Sequence, residues 1–523
     1  MKAVIIAGGK GTRLAEFTRV TPKSLLPVAC RPVLEHQIEL LKGSNITEII
    51  LATGHLARNI SEQFADGRQY GVNIEYLEED KPLGTAGALM KLKDRLRERF
   101  LLIYGDLILD LHIGRLTRFH VDHSALCTLV VHPNSHPHDS DVVVIDRSNV
   151  IVNVLEKNKS RNFHYNNLVN AGVFVCEPGL MDFVGEAAPQ DLEKDVIRAA
   201  MKTGRVYAYR TTEYIRDMGT AGRYAQVQAD MMKGIPAKRN LRRRQKAVFL
   251  YRDGPINKSV GLVYRPGQLT LAENSIQAIR MLNESEYLCI VIADQSVVVR
   301  GLCTAAEMEQ IDRCLETLLA EGGGYIDALY YCPNHPDKGF SGENPDYKDD
   351  CKFRKPGTLL FEIAATTYNI DLSTSYMVGD ATVDIQAGKN AGMRTILLSV
   401  DDEGVRDGEC DVEADLHADS LYGAVNIILT ETRDEMSENG QHKDTASRSG
   451  IAEKERGKSD SDAAGCDGLS ARTETVYRRD GHAPGIAAIA DRLIAVNKRS
   501  GVMFMCSKMT EVQHRIALGQ RFQ

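Results

Sequence analysis

The stretch AGGKGTRLAEFTRVTPKSLLPV, which follows the first apolar run of the chain, gathers residue types that suit a polyphosphate. Gly8, Gly9 and Gly11 let backbone N–H groups approach phosphate oxygens, Thr12 adds a hydroxyl donor and Arg13 a cation. Glycines here could also serve only to join a strand to a helix, and the spacing is not the dinucleotide pattern. Lys23, in TPKSLLP, supplies a second cation downstream and strengthens the polyphosphate reading. A second stretch, KAVFLYRDGPIN, runs an apolar strand into Arg-Asp-Gly, a loop suited to presenting the Asp253 carboxylate. Two positions earlier stands Tyr251, a phenol whose ordinary pKa near 10 makes it a poor nucleophile at neutral pH.

Both stretches need strands to carry them. KAVIIAGG, EIILATG, RFLLIYGD, ALCTLVVH and NAGVFVCE read as strands, and PVLEHQIELLKGS and DLEKDVIRAAMKTG as amphipathic helices. This alternation predicts a doubly wound α/β unit with a mostly parallel sheet over residues 1–235. The basic run KRNLRRRQK reads as a solvated linker, placed at 236–245. AVFLY, YLCIVIAD, IDALYYC, SYMVGD and RTILLSV then predict a second Rossmann-like α/β unit over 246–410. Residues 430–480 have the composition of a disordered segment, and 485–523 read as a short helical segment of unassigned role.

At 523 residues the chain is too long for one core. It is 43% hydrophobic and 26% charged, and its net charge of −7 argues against a general nucleic-acid binder. No apolar run approaches the roughly 20 residues that span a bilayer. The opening residues lack the long apolar stretch of a signal peptide, and eleven scattered cysteines suit reduced thiols. The expectation is a cytoplasmic protein with no membrane partner.

The AGGKGTRL…TPKSLLP run resembles the signature of the sugar-phosphate nucleotidyltransferases. Further matches follow in that family's order: PLGTAGAL, YGD, EKN, NAGVFV and YIRDMGT, spanning nearly all of residues 1–230. Cys30 and Ala221 depart from the family pattern at positions that carry no chemistry. The resemblance implies in-line attack of a sugar-phosphate oxygen on the α-phosphorus of an NTP with loss of pyrophosphate, a reaction catalysed mainly by positioning and charge neutralisation. It further implies that Asp106 and Asp217 hold Mg²⁺ and that Arg13 and Lys23 neutralise charge at the transferred phosphate. Gly8, Gly9, Gly11 and Thr12 would line the triphosphate, Gly84 and Thr85 the base and ribose, and Glu156, Lys157 and Asn170 the sugar phosphate.

RDG, IADQS, FRKP and MVGDATVD resemble, in that order, the haloacid-dehalogenase (HAD) phosphatases, within them the heptose bisphosphate and histidinol-phosphatase branch. That family attacks phosphorus with the first Asp of Asp-x-Asp and shuttles a proton with the second. Here Tyr251 stands at the nucleophile position and only Asp253 remains; Ala293 replaces a phosphate-binding hydroxyl, and Asp294 places a negative charge beside it. The remnants of the zinc loop, Cys332, His335 and Cys351, fall short of the four ligands a structural zinc needs, so Zn²⁺ is not expected. Arg354, Lys355, Asp380 and Asp384 survive as the substrate arginine, phosphate lysine and metal carboxylates, with Mg²⁺ in doubt here. The pairing implies consecutive steps toward a nucleotide-activated sugar for surface polysaccharide, with heptose 1-phosphate or mannose 1-phosphate and an NTP as substrates of the first unit. Two alternatives stand beside an impaired second unit: a bifunctional enzyme that also dephosphorylates heptose 1,7-bisphosphate, and a regulatory or scaffold protein that binds nucleotide sugar without turnover. Self-association is left open.

Overall fold

The computed structural model describes residues 1–434 except 10, 80–82, 158, 186–188, 337–338, 348–351 and 400–409. The expectations for 435–480 and 485–523 therefore lie outside the described residues.

The first unit is built on a nine-stranded mixed sheet. Its parallel half comprises β1 (Lys2–Ile6), β2 (Glu48–Thr53), β3 (Asn73–Glu78) and β4 (Phe100–Tyr104), in the order β3-β2-β1-β4. A two-stranded ribbon outside the sheet begins with β5 (Leu107–Asp110). The other half holds β6 (Cys127–His132), β7 (Val142–Ile145), β8 (Ile151–Leu155), β9 (Val169–Cys176) and β10 (Val206–Arg210). Strand β9 runs antiparallel to both β4 and β6, with a bulge between Asn170 and Phe174. Strand β11 (Tyr214–Asp217) closes the ribbon antiparallel to β5.

Helix Val33–Lys42 shows why this sequence packs as it does. Val33, Leu34, Ile38 and Leu41 recur at helical spacing, and all four are fully buried. Gln37 interrupts that face, and its buried amide finds two backbone acceptors at the end of β4 and the start of β5.

The second unit is a six-stranded parallel sheet. In chain order its strands are β12 (Lys246–Leu250), β13 (Tyr287–Asp294), β14 (Ala328–Cys332), β15 (Tyr376–Gly379), β16 (Arg394–Leu398) and β17 (Leu416–Ala418). They lie in the order β14-β13-β12-β15-β16-β17. This is the doubly wound arrangement, whose order reverses between β12 and β15. The sequence reading closed this unit at 410; β17 and a helix over 421–434 extend it. Leu421, Ala424, Val425 and Ile428 of that helix enter the core, so the expected disorder does not begin at 430.

The expected solvated linker is also corrected. Arg242, Arg243 and Arg244 are exposed, but Arg239, Asn240, Leu241 and Gln245 around them are buried. Arg239 donates to the Tyr287 carbonyl at 2.8 Å and pairs with Asp327 at 3.5 Å. Asn240 donates to Asp110, and the Leu241 N–H donates to Glu213 at 3.0 Å. A basic run looks solvated in sequence because its exposed centre hides what its ends touch.

Candidate functional site

In both sheets the chemistry-bearing residues stand beyond the carboxyl ends of the central strands, where the strand order reverses. In the first unit Gly8 follows β1 and Asp106 follows β4. Gly11 has φ +62°, and a side chain there would crowd Thr18, whose hydroxyl donates to the Gly11 carbonyl at 3.0 Å. The side chain of Thr12 lies outside the described residues.

The β5–β11 ribbon brings the two predicted metal carboxylates together. Asp217 pairs in register with Leu107, next to Asp106, and the Met218 N–H donates to the Asp106 carbonyl at 3.2 Å. Gln37 fixes the same turn from below, donating to the carbonyls of Tyr104 (3.0 Å) and Leu107 (2.8 Å). Lys23 donates to the Asp106 carboxylate. Asp217 accepts from the Gly219 N–H at 2.6 Å and from Arg223 at 3.1 Å. Burial alone would raise the pKa of Asp217, but Arg223, the Gly219 N–H and Lys23 outweigh it and hold the carboxyl below the usual range.

These groups line a cavity of about 700 Å³ that includes Arg13, Asp106, Lys157, Asn170 and Asp217 among the predicted residues. Glu156 is held by Arg198 (2.8 Å) and Lys159 (3.1 Å) and does not line it. Nor do Gly8, Gly9, Gly11, Gly84, Thr85 or Lys23. Thr85 accepts from the Leu192 N–H at 2.7 Å, so it braces a neighbouring turn. Gly84 has φ +85°, and a Cβ there would stand 2.1 Å from the Gln190 carbonyl oxygen.

Several cavity residues escaped the sequence reading. Arg223 clamps Asp217 and also reaches Asp139 at 2.5 Å. Its signal was local: Thr220 caps helix Ala221–Met232, which places Arg223 in the first turn, facing back on Asp217. Glu193 accepts from the Tyr104 hydroxyl at 2.5 Å and from the Asn170 amide at 3.2 Å. Burial pushes Glu193 up to about 7, against the lowering effect of the Tyr104 hydrogen bond. Burial also holds His132 and His136 down to about 4, so neither imidazole is a cation at neutral pH.

Asp106 and Asp217 offer hard oxygen donors in the lining of the cavity, which fits a divalent cation such as Mg²⁺. Among the described residues no group of three His, Cys, Asp or Glu side chains gathers to hold a metal by itself. Further ligands would come from substrate oxygens and water, as is usual for this ion.

In the second unit Tyr251, Asp253, Asp294, Lys355, Asp380 and Asp384 meet around the ends of β12, β13 and β15. Tyr251 is surrounded by carboxylates. Burial first, then Asp253, Asp384, Asp294 and Asp380, push its phenol well above its ordinary value. The Lys355 ammonium stands 3.6 Å from the centre of the Tyr251 ring, donates to Asp384 and lies 3.8 Å from Asp294. Although burial opposes its charge, Asp384 and Asp294 hold Lys355 above the usual lysine range. Asp253 is gripped by the buried Arg252 through two bonds, at 3.0 and 2.9 Å, and by Asn257 at 3.0 Å. Arg354 donates to the Asn334 carbonyl at 3.2 Å. Cys332 and His335 are buried, and Cys351 lies outside the described residues.

The family model described as nucleotidyl transferase matches residues 2–234, and one described as HAD-hydrolase-like matches 352–424. A mannose-1-phosphate guanylyltransferase of Mycobacterium tuberculosis is 32% identical over 249 residues, which cover 46% of this chain and 68% of that protein. The catalytic subunit beta of the Drosophila melanogaster enzyme is 32% identical over 222 residues, covering 42% of this chain and 59% of that one. A heptose bisphosphate phosphatase from B. bronchiseptica covers 36% of this chain and 99% of its own, at 28% identity and a TM-score of 0.31. The chain belongs to the nucleotidyl transferase family and joins that domain to a HAD-like one. Among the described residues no helix is long and apolar enough to cross a membrane.

Proposed function

We propose that the first unit transfers a nucleotidyl group from an NTP to a sugar 1-phosphate, releasing pyrophosphate and an NDP-sugar. The observation that carries this reading is that Asp217, on the ribbon, and Asp106, just before its first strand, each face a cation and line one cavity of about 700 Å³. With Mg²⁺ bound, the two carboxylates would hold an ion that neutralises the phosphates being joined. Arg13 and Lys23 would add positive charge where the attacked phosphate gains negative charge, and Gly8, Gly9 and Gly11 would offer N–H groups to the triphosphate. Lys157 and Asn170 orient the sugar phosphate, with Asn170 held by Glu193. Mannose 1-phosphate and heptose 1-phosphate are the first substrates to try, within a route to surface polysaccharide. Pyrophosphate release from NTP and sugar 1-phosphate tests the reading, and release from no pair contradicts it.

The HAD-like unit is read as catalytically impaired. A half-buried neutral phenol at the nucleophile position cannot supply the covalent step, and Lys355 is engaged by Tyr251, Asp384 and Asp294 rather than open to phosphate. Heptose 1,7-bisphosphate should release no phosphate. Release that disappears in Asp253→Ala would mean that the unit works.

A further inference from the structure

The cavity that begins at Asp106 and Asp217 does not end within the first unit. Its lining continues onto Arg280, Glu284, Glu321 and Tyr325 of the second. We infer that the HAD-like unit completes the substrate cavity of the transferase: Glu316 positions its loop, and Arg280 faces the hydroxyl-bearing part of the sugar. This deepens the transferase reading and rests on it.

Helix Ala305–Glu321 supplies the brace. Glu316 accepts from the Asn167 N–H at 2.6 Å and from the Asn166 amide at 3.1 Å. Beside it, the Thr317 hydroxyl accepts from the Tyr165 N–H at 3.0 Å. Asn167 in turn grips Asn134 from both sides: its amide donates to the Asn134 carbonyl at 2.7 Å, and its carbonyl oxygen accepts from the Asn134 N–H at 3.2 Å. The segment 134–141 then lines the cavity and delivers Asp139 to Arg223, the residue that clamps Asp217. The joints from Glu316 to Asn134 are hydrogen bonds of buried or half-buried groups, and the exposed Arg223–Asp139 bond completes the path, so a shift at Glu316 reaches the partner of Asp217.

Arg280 supplies the wall. Among the described residues its guanidinium has no hydrogen-bond or ion-pair partner. A Cβ added at Gly323 would stand 3.8 Å from the Ser135 carbonyl oxygen and 3.9 Å from the Arg280 side chain, so this wall lies close to the same loop. Arg239 is already paired with Asp327, leaving Arg280 with Glu284 and Glu321 to meet a ligand. A second phosphate would be repelled by those two carboxylates, whereas sugar hydroxyls can donate to them and accept from the guanidinium. The surface therefore fits the neutral polyhydroxyl end of a sugar phosphate.

The test uses the full chain with Mg²⁺. Calorimetric binding of mannose 1-phosphate should weaken about tenfold in Arg280→Ala, the loss of one charge-assisted contact. Steady-state rates should show a raised KM for the sugar phosphate with the KM for NTP unchanged. Glu316→Ala should lower kcat by on the order of tenfold to a hundredfold through misplacement, and Glu316→Gln, which retains an acceptor, should recover most of it. Wild-type sugar binding and kinetics in well-folded Arg280→Ala and Glu316→Gln, with Glu316→Ala equally active, would overturn the inference. Absence of pyrophosphate release from the wild type would instead contradict the transferase reading, while the binding comparison would still decide the role of Arg280.

Discussion

Asp106, Asp217, Arg13 and Lys23 can be proposed from the sequence because each sits in a short motif that fixes its neighbours along the chain. Gln37, Glu193 and Arg223 cannot, because their meaning comes from what other elements bring to them. Glu193 is the most testable of these. Tyr104, Asn170, Asp191 and Asp141 face it, and burial has raised it to about 7. A carboxyl that binds its proton more tightly folded than unfolded costs the folded state stability as pH rises through the usual glutamate range toward 7. Glu193→Gln removes that slope. Its melting temperature relative to wild type should therefore be higher at pH 8 than at pH 5; a difference independent of pH would mean that Glu193 does not titrate there.

Strand β9 shows what an element can hide. NAGVFV reads as a plain strand, yet Gly172 adopts φ +74° at a bulge, and a Cβ there would stand 2.7 Å from the Tyr104 ring. That bulge lets one strand pair with β4 and β6 while aiming Asn170 into the cavity. Gly172→Ala should cost about 1–2 kcal/mol from the left-handed backbone, with more from displacing Tyr104. Denaturant titration reads this directly, and an unchanged midpoint would contradict the strain. The connector hides its burial for a related reason. Its arginine run signals solvent, but tertiary partners at Glu213, Tyr287 and Asp327 decide where its flanks lie.

At the scale of the whole molecule, two α/β units were legible from the alternation of strands and helices, since buried parallel strands write themselves as apolar runs. The first sheet, however, is mixed rather than mostly parallel, because β9 runs antiparallel to β4, β6 and β7. How the sheets meet was not legible, because no periodicity encodes a contact between distant units. Arg239 sits at that junction, 4% exposed, and its removal would leave the buried Asp327 carboxylate without its cation, held only by the Cys289 N–H. Arg239→Ala should destabilise the protein by about 3–5 kcal/mol, visible as a lowered melting temperature. A change near zero would mean that the junction is not held by this pair. If the HAD-like unit is catalytically impaired as proposed, a role as the wall and brace of its neighbour's site would give it a reason to persist.

The most direct measurement of the central claim is pyrophosphate release by the purified full chain with Mg²⁺, across the NTPs and a panel of sugar 1-phosphates, beside Asp106→Ala and Asp217→Ala. Release should match NDP-sugar formed for at least one pair and fall by on the order of a thousandfold or more in both variants, with the melting temperature little changed. Full activity in either variant, or no release from any pair by the wild type, would contradict the account.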